Sequence, residues 1–181
     1  MSRSRPPAVH VIKIKLRELG QLFNSIDPSP FNERDLDHDA EEFIISWALE
    51  APADADIKLV VHLAQPPPAT AAQVAESVQH YFRYRADITR NELRELFREG
   101  RSSLAVGLIF LAVCMVASQA VLGLGEGSWQ SIVHEGLIIT GWVAMWRPMQ
   151  VYLYDWWPMH RRRRTYDKLG RISVELVAPG A

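Results

Sequence analysis

The chain has 181 residues with 20 basic and 21 acidic side chains, a formal charge of −1, which argues against the cationic surface that nucleic-acid binding requires. Its single cysteine excludes an intrachain disulfide and a cysteine-built zinc site. Mean hydropathy is near neutral, but the apolar residues are concentrated between Leu104 and Trp157.

The N-terminus carries two arginines without the apolar stretch of a cleaved signal, so the first membrane segment is expected to act as the targeting signal. In "VHVIKIKL", Ile12, Ile14 and Leu16 alternate with Lys13 and Lys15, the period of a strand with one wet face. The loop "IDPSPF" follows. Its prolines flank Ser29 and suit a rigid turn that docks Phe31 into the core, or a loop that recognises a partner.

"DHDAEEFIISWALE" places Ala40, Phe43, Ile44, Trp47 and Ala48 on one helical face, with Asp37 as N-cap. Glu33, Asp35, Asp37, His38, Asp39, Glu41 and Glu42 form an acid-rich run resembling the start of a calcium loop. The pattern fails where Ala40 and Ser46 replace the needed Gly and Glu. An acidic helix start is the better reading, and no metal is assigned.

"DIKLVVHL" repeats the strand pattern with Ile57, Leu59, Val61 and Leu63. Thr70 with Gln73, and Thr89 with Glu92, match the capping box and predict two successive helices, the first burying Val74, Val78, Tyr81 and Phe82.

From Leu104 to Gly125 about 22 residues carry no charge, the length that crosses a bilayer. A second span is expected from about 131 to 152, returning through a glycine-rich turn. Arg147 then lies near the inner surface, within reach of headgroups by snorkelling. Asp155 is too far along the helix for a simple pair with it, unless a neighbouring chain supplies one. Pro148 removes the helical partner of the Ala144 carbonyl and predicts a kink. Trp156 and Trp157 continue an aromatic belt, and Arg161, Arg162, Arg163 and Arg164 form a cationic exit able to meet anionic lipid headgroups. Basic residues flank both spans while the turn has none, which puts both termini in the cytoplasm. "RISVELV" supplies a third strand.

The expected fold is an α+β membrane protein. A cytosolic two-layer α/β domain (1–88) of about three strands receives an inserted helical stem and two-helix transmembrane hairpin (89–165). The C-terminal strand (166–181) then rejoins the sheet. "LFNSIDPSPFNERDLDHDAEEFI" and "GWVAMWRPMQVYLYDWWPMHRRRRTYDKL" resemble an uncharacterised family of small bacterial inner-membrane proteins. That resemblance implies a two-span protein of the bacterial inner membrane and no catalytic residue.

No phosphate-binding glycine loop, nucleophile elbow or zinc-protease motif is present. The expectation is a non-enzymatic membrane protein without cofactor, whose cytosolic domain binds a partner or scaffolds a complex, with a protein partner or a homo-oligomer expected. A channel or transporter subunit built on Arg147, Asp155, Gln119 and the His134–Glu135 pair is the alternative. A metal-dependent membrane enzyme using Asp35, Asp37, His38 and Asp39 is the second.

Overall fold

The computed structural model describes residues 9–52, 55–123, 125 and 127–178. The basic leader and the turn residues Leu124 and Glu126 lie outside the described residues. Among the described residues the chain is α+β, with three strands in one parallel sheet and one long apolar helix. It divides into two compact units, Met1–Thr89 with Arg161–Ala181, and Arg90–His160.

The first unit holds the sheet, with strands β1 (Val9–Leu16), β2 (Asp56–Leu63) and β3 (Ser173–Val177) in that spatial order. All three run parallel, with Val11 beside Lys58 and Lys58 beside Ser173. Helix α1 (His38–Glu50) connects β1 to β2, and the start of α2 (Ala71–Leu122) follows β2. Helix α5 (Trp156–Leu169) leads into β3.

Both crossovers step the same way across the sheet, so a common right-handed sense places their helices on one face. Ile12, Ile14, Ile57, Leu59, Val61 and Leu63 point to that face and are buried with Val74, Val78, Phe82, Tyr166 and Leu169. The other face, with Val11, Lys13, Lys15 and Glu175, stays open to solvent.

Asp37 caps α1 as its composition implies, its carboxylate accepting from the Asp39 amide at 3.1 Å. The buried face of α1 is rotated from the expected one. Glu41, Ile44, Ile45 and Ala48 face inward, while Phe43 and Trp47 are exposed and pack on each other with ring centroids 5.9 Å apart. Periodicity allows either stripe, and the inward choice brings Glu41 to its partners on α2.

At the start of α2, Gln73 Oε1 accepts from the Thr70 amide at 2.9 Å and Thr70 Oγ1 accepts from the Gln73 amide at 3.3 Å, a reciprocal capping box. The second expected helix start is absent. Thr89 is buried inside α2, and its hydroxyl donates back to the Arg85 carbonyl at 3.0 Å. A Thr-x-x-Glu pattern caps only where the chain enters a helix, and here the chain is already helical.

The second unit comprises the rest of α2 together with α3 (Ser128–Val143), α4 (Trp146–Gln150), a π-helical turn over Val151–Asp155 and the start of α5. Among the described residues, α2 is the one helix long and apolar enough to cross a membrane, and its apolar end stops at Leu122. The expected second span over 131–152 is not one helix, and its break falls at Ala144 and Met145, just before the proline at which a kink was expected. Backbone bonding tightens at Met145, whose amide donates to the Trp142 carbonyl at 3.0 Å, and helix resumes before Pro148. In place of the expected two-helix hairpin the described residues form one long helix and an interrupted one. Proline supplies the cause, because Pro148 cannot donate to the Ala144 carbonyl and Pro158 cannot donate to that of Tyr154. The indole of Trp156 donates to the Tyr152 carbonyl at 2.9 Å, satisfying an acceptor that the π turn leaves without its α-helical donor.

Candidate functional site

In the second unit, burial is inverted relative to a water-soluble core. Leu93, Gly100, Gly107 and Cys114 recur every seven residues along α2 and are buried, as are Ser118, Gln130, Gly141 and Pro148. Large apolar residues point outward instead: Val106 is 68% exposed, Val116 71%, Ile132 71% and Trp146 73%. Small residues set how closely the segments approach. A Cβ on Gly100 would lie 2.8 Å from Val151 Cγ1, one on Gly107 3.1 Å from the Ala144 carbonyl oxygen, and one on Gly141 2.8 Å from Leu111 Cδ1. His134 Nδ1 sits 3.1 Å from the Ser118 carbonyl oxygen, which can only accept, so that nitrogen carries the proton. Contacts that step upward along 100–118 step downward along 134–151, so the two stretches run in opposite directions.

Arg147 does not wait for a neighbouring chain. Its Nη2 donates to Glu99 Oε1 at 2.7 Å and its Nη1 to Asp155 Oδ2 at 3.2 Å. The i, i+8 pair is possible because a π turn lies between the two residues, giving a wider turn with less rise than regular helix. Glu99 belongs to the helix beside it and could not be assigned to Arg147 from local spacing. Its signal in the sequence is only that it sits on the cationic approach to the apolar run.

The aromatic residues gather on the same stretch. Trp156 packs edge-on against Trp157 at 5.6 Å and lies 6.0 Å from the His160 ring, while Phe97 and Tyr152 are 6.2 Å apart. Trp157 and Tyr154 remain exposed. Arg161, Arg162 and Arg164 are exposed, whereas Arg163 Nε faces the Asp167 carboxylate at 3.6 Å.

In the first unit, Phe31 packs against Phe23 with centroids 4.9 Å apart, and the Phe31 carbonyl accepts from the buried Ser77 hydroxyl at 2.9 Å. The loop around Ser29 is organised by Asp27, whose carboxylate accepts from the Asp35 amide at 2.8 Å and the Ser29 amide at 2.9 Å. Those bonds, the one from Asp35 foremost, hold the Asp27 carboxyl below its ordinary pKa.

The acidic run does not converge. Asp37 caps α1, Glu41 turns into the core, and among the described residues no group of three or more His, Cys, Asp or Glu side chains is placed to hold a metal. Glu41 instead forms a network that the sequence reading missed. Its Oε2 accepts from the Tyr81 hydroxyl at 2.7 Å, and its Oε1 from Arg85 Nε at 2.9 Å. The Arg85 guanidinium lies 5.7 Å from the centre of the Tyr166 ring. Burial first, and then the hydrogen bond to Glu41, push the Tyr81 phenol well above its ordinary value. The available signal was the Tyr81–Arg85 spacing of one helical turn on α2.

Compared with protein-family models, curated proteins and solved structures, the chain finds no match.

Proposed function

We propose that this chain is a non-enzymatic integral protein of the bacterial inner membrane. It crosses twice, keeps both termini in the cytoplasm, and uses its sheet unit to hold a protein partner. The observation that carries the reading is the inverted burial of the second unit, in which glycine, cysteine, serine and glutamine join Leu93 and Val151 inside while Val106, Val116, Ile132 and Trp146 face outward. In water that arrangement exposes the apolar surface that folding ordinarily hides. In hydrocarbon it is favourable, because small residues permit close helix packing and apolar side chains meet lipid.

Helix irregularities are tolerated at membrane depth where neighbouring side chains satisfy the freed backbone groups, as the Trp156 indole does for the Tyr152 carbonyl at the π turn. Arg147 is paired with Glu99 and Asp155, and a paired charge is the form in which an ionised group near the bilayer is tolerated. Arg90, Arg94, Arg98 and Arg101 before the first crossing, and Arg161 to Arg164 after the second, supply the positive-inside bias.

The partner reading draws on the open sheet face. All-parallel sheets are ordinarily covered on both faces, and here one face carries Val9, Val11, Lys13 and Lys15 uncovered. Its valines and lysines suit a protein surface that presents apolar residues beside carboxylates.

Thiol labelling tests the topology. In a C114A background, the full-length S128C protein should react with a membrane-impermeant maleimide in intact cells. S25C should react only after the inner membrane is permeabilised. Equal labelling of both without permeabilisation, or recovery of the protein in the soluble fraction, overturns the proposal. A photocrosslinker at Val11 should capture a protein that the added K13E/K15E change releases, and identical capture with and without that change sinks the partner assignment.

A further inference from the structure

From a cavity beside the end of α1, we infer a binding site for a phosphate group, held by Arg161 and Arg164. Arg161, Arg164 and Lys168 recur at i, i+3 and i+7 on α5, so they share one side of that helix. With Thr165 and Asp167, and with Ala48, Leu49 and Ala51 from α1 and its C-terminal end, they line a cavity of 480 Å³.

The charges in that lining are unequally committed. Asp167 faces Arg163, which lies outside the cavity lining, at 3.6 Å. Lys168 Nζ donates to the Pro52 carbonyl at 2.9 Å, which answers the negative end of α1 and fixes the lysine in place. Among the described residues, neither Arg161 nor Arg164 forms an ion pair. Against the single Asp167 carboxylate, two guanidiniums and an ammonium leave the lining net cationic, which favours an added anion. A guanidinium fork matches the oxygens of a phosphate in geometry and charge, and the alanines and Leu49 leave an apolar wall for carbon attached to it.

The four-arginine run is therefore not one uniform patch. Arg161 and Arg164 form the site, Arg163 is engaged with Asp167, and Arg162 lies outside the cavity lining. The phosphate can belong to an anionic lipid headgroup of the cytoplasmic leaflet or to a soluble phosphate. The lipid source rests on the membrane reading above; the soluble source does not.

The test uses the full-length protein in nanodiscs and two variants that remove equal charge, R161Q/R164Q and R162Q/R163Q. One arm counts phosphatidylglycerol retained by native mass spectrometry from discs that mix it with phosphatidylcholine. The other titrates inorganic phosphate calorimetrically in pure phosphatidylcholine discs. For the ligand that is bound, R161Q/R164Q should lower affinity about tenfold more than R162Q/R163Q, the loss of two charge-assisted contacts.

That contrast in the lipid arm assigns a headgroup, and the same contrast in the phosphate arm alone assigns a soluble ligand. Either outcome supports the site. Equal effects of the two variants in both arms, or no binding in either, overturn it. Failure of the thiol-labelling topology would remove only the headgroup source and leave the phosphate titration standing.

Discussion

Replacing Glu41 by Gln probes the network that orients α1 on α2. The carboxylate is buried and receives the Tyr81 hydroxyl at 2.7 Å and Arg85 Nε at 2.9 Å. An amide has one oxygen, so it can keep one of the two donors as before while its NH₂ turns toward the other. If it faces Arg85, two donors oppose each other. Breaking a buried pair by removing one partner costs about 3–5 kcal/mol. The Arg85 side chain is 35% exposed, and water screens part of what it loses. The expected cost is therefore about 2–3 kcal/mol. Tyr81→Phe removes one hydrogen bond to the carboxylate and should cost about 1–2 kcal/mol. The two changes share a partner, so the double variant should fall short of their sum by about 1 kcal/mol. Hydrogen exchange at the amides of Leu59 and Val61, in the central strand, measures this in the full-length protein. Opening through global unfolding should make E41Q exchange about 30- to 150-fold faster than the parent. A change below twofold, or strict additivity with Y81F, refutes the network as a stabilising element.

Three further outcomes are expected. Because the folded-state pKa of Tyr81 lies above the unfolded value near 10, the folded form keeps its proton where the unfolded form loses it. Its contribution is then fully present below pH 10 and declines as pH rises above it, and a Y81F protein should lose less stability between pH 9 and 11 in an exchange or denaturant series. Gly141→Leu places a side chain where even a Cβ lies 2.8 Å from Leu111 Cδ1 and 3.1 Å from Cys114 Cβ, so it should cost about 1–3 kcal/mol by overpacking. Disulfide trapping of an S118C/H134C pair in a C114A background should fall correspondingly. Glu99→Gln and Asp155→Asn should each be tolerated because the other carboxylate still meets Arg147, while together they should lower the melting temperature in nanodiscs by more than the sum, with restoration by Arg147→Leu.

The parts of this molecule legible in its sequence are those encoded within a few residues. β1 and β2 announce themselves through alternation because a strand with one wet face repeats every second residue. The box at Thr70 and Gln73 forms because both members lie within one helical turn. The uncharged run that begins at Leu104 needs no context, since its length and composition alone make the end of α2 long and apolar enough to cross a membrane.

Other features were settled only by contacts between residues far apart. Thr89 carries the same local pattern as Thr70, but it lies within an established helix, so its hydroxyl bonds backward rather than capping. Two stripes of α1 were apolar enough to face inward, and the choice fell to the one that brings Glu41 to Tyr81 and Arg85, forty and more residues away. Arg147 found Glu99 across a comparable separation, and reached Asp155 through a π turn that no simple period encodes. The strand order β1-β2-β3 belongs to the same class, because all three strands carry similar half-buried patterns and none names its neighbour. Local periodicity determined which segments would be strand, helix or apolar run. Tertiary packing determined which of their faces met, because a buried charge or a close glycine contact is defined only by the group opposite it.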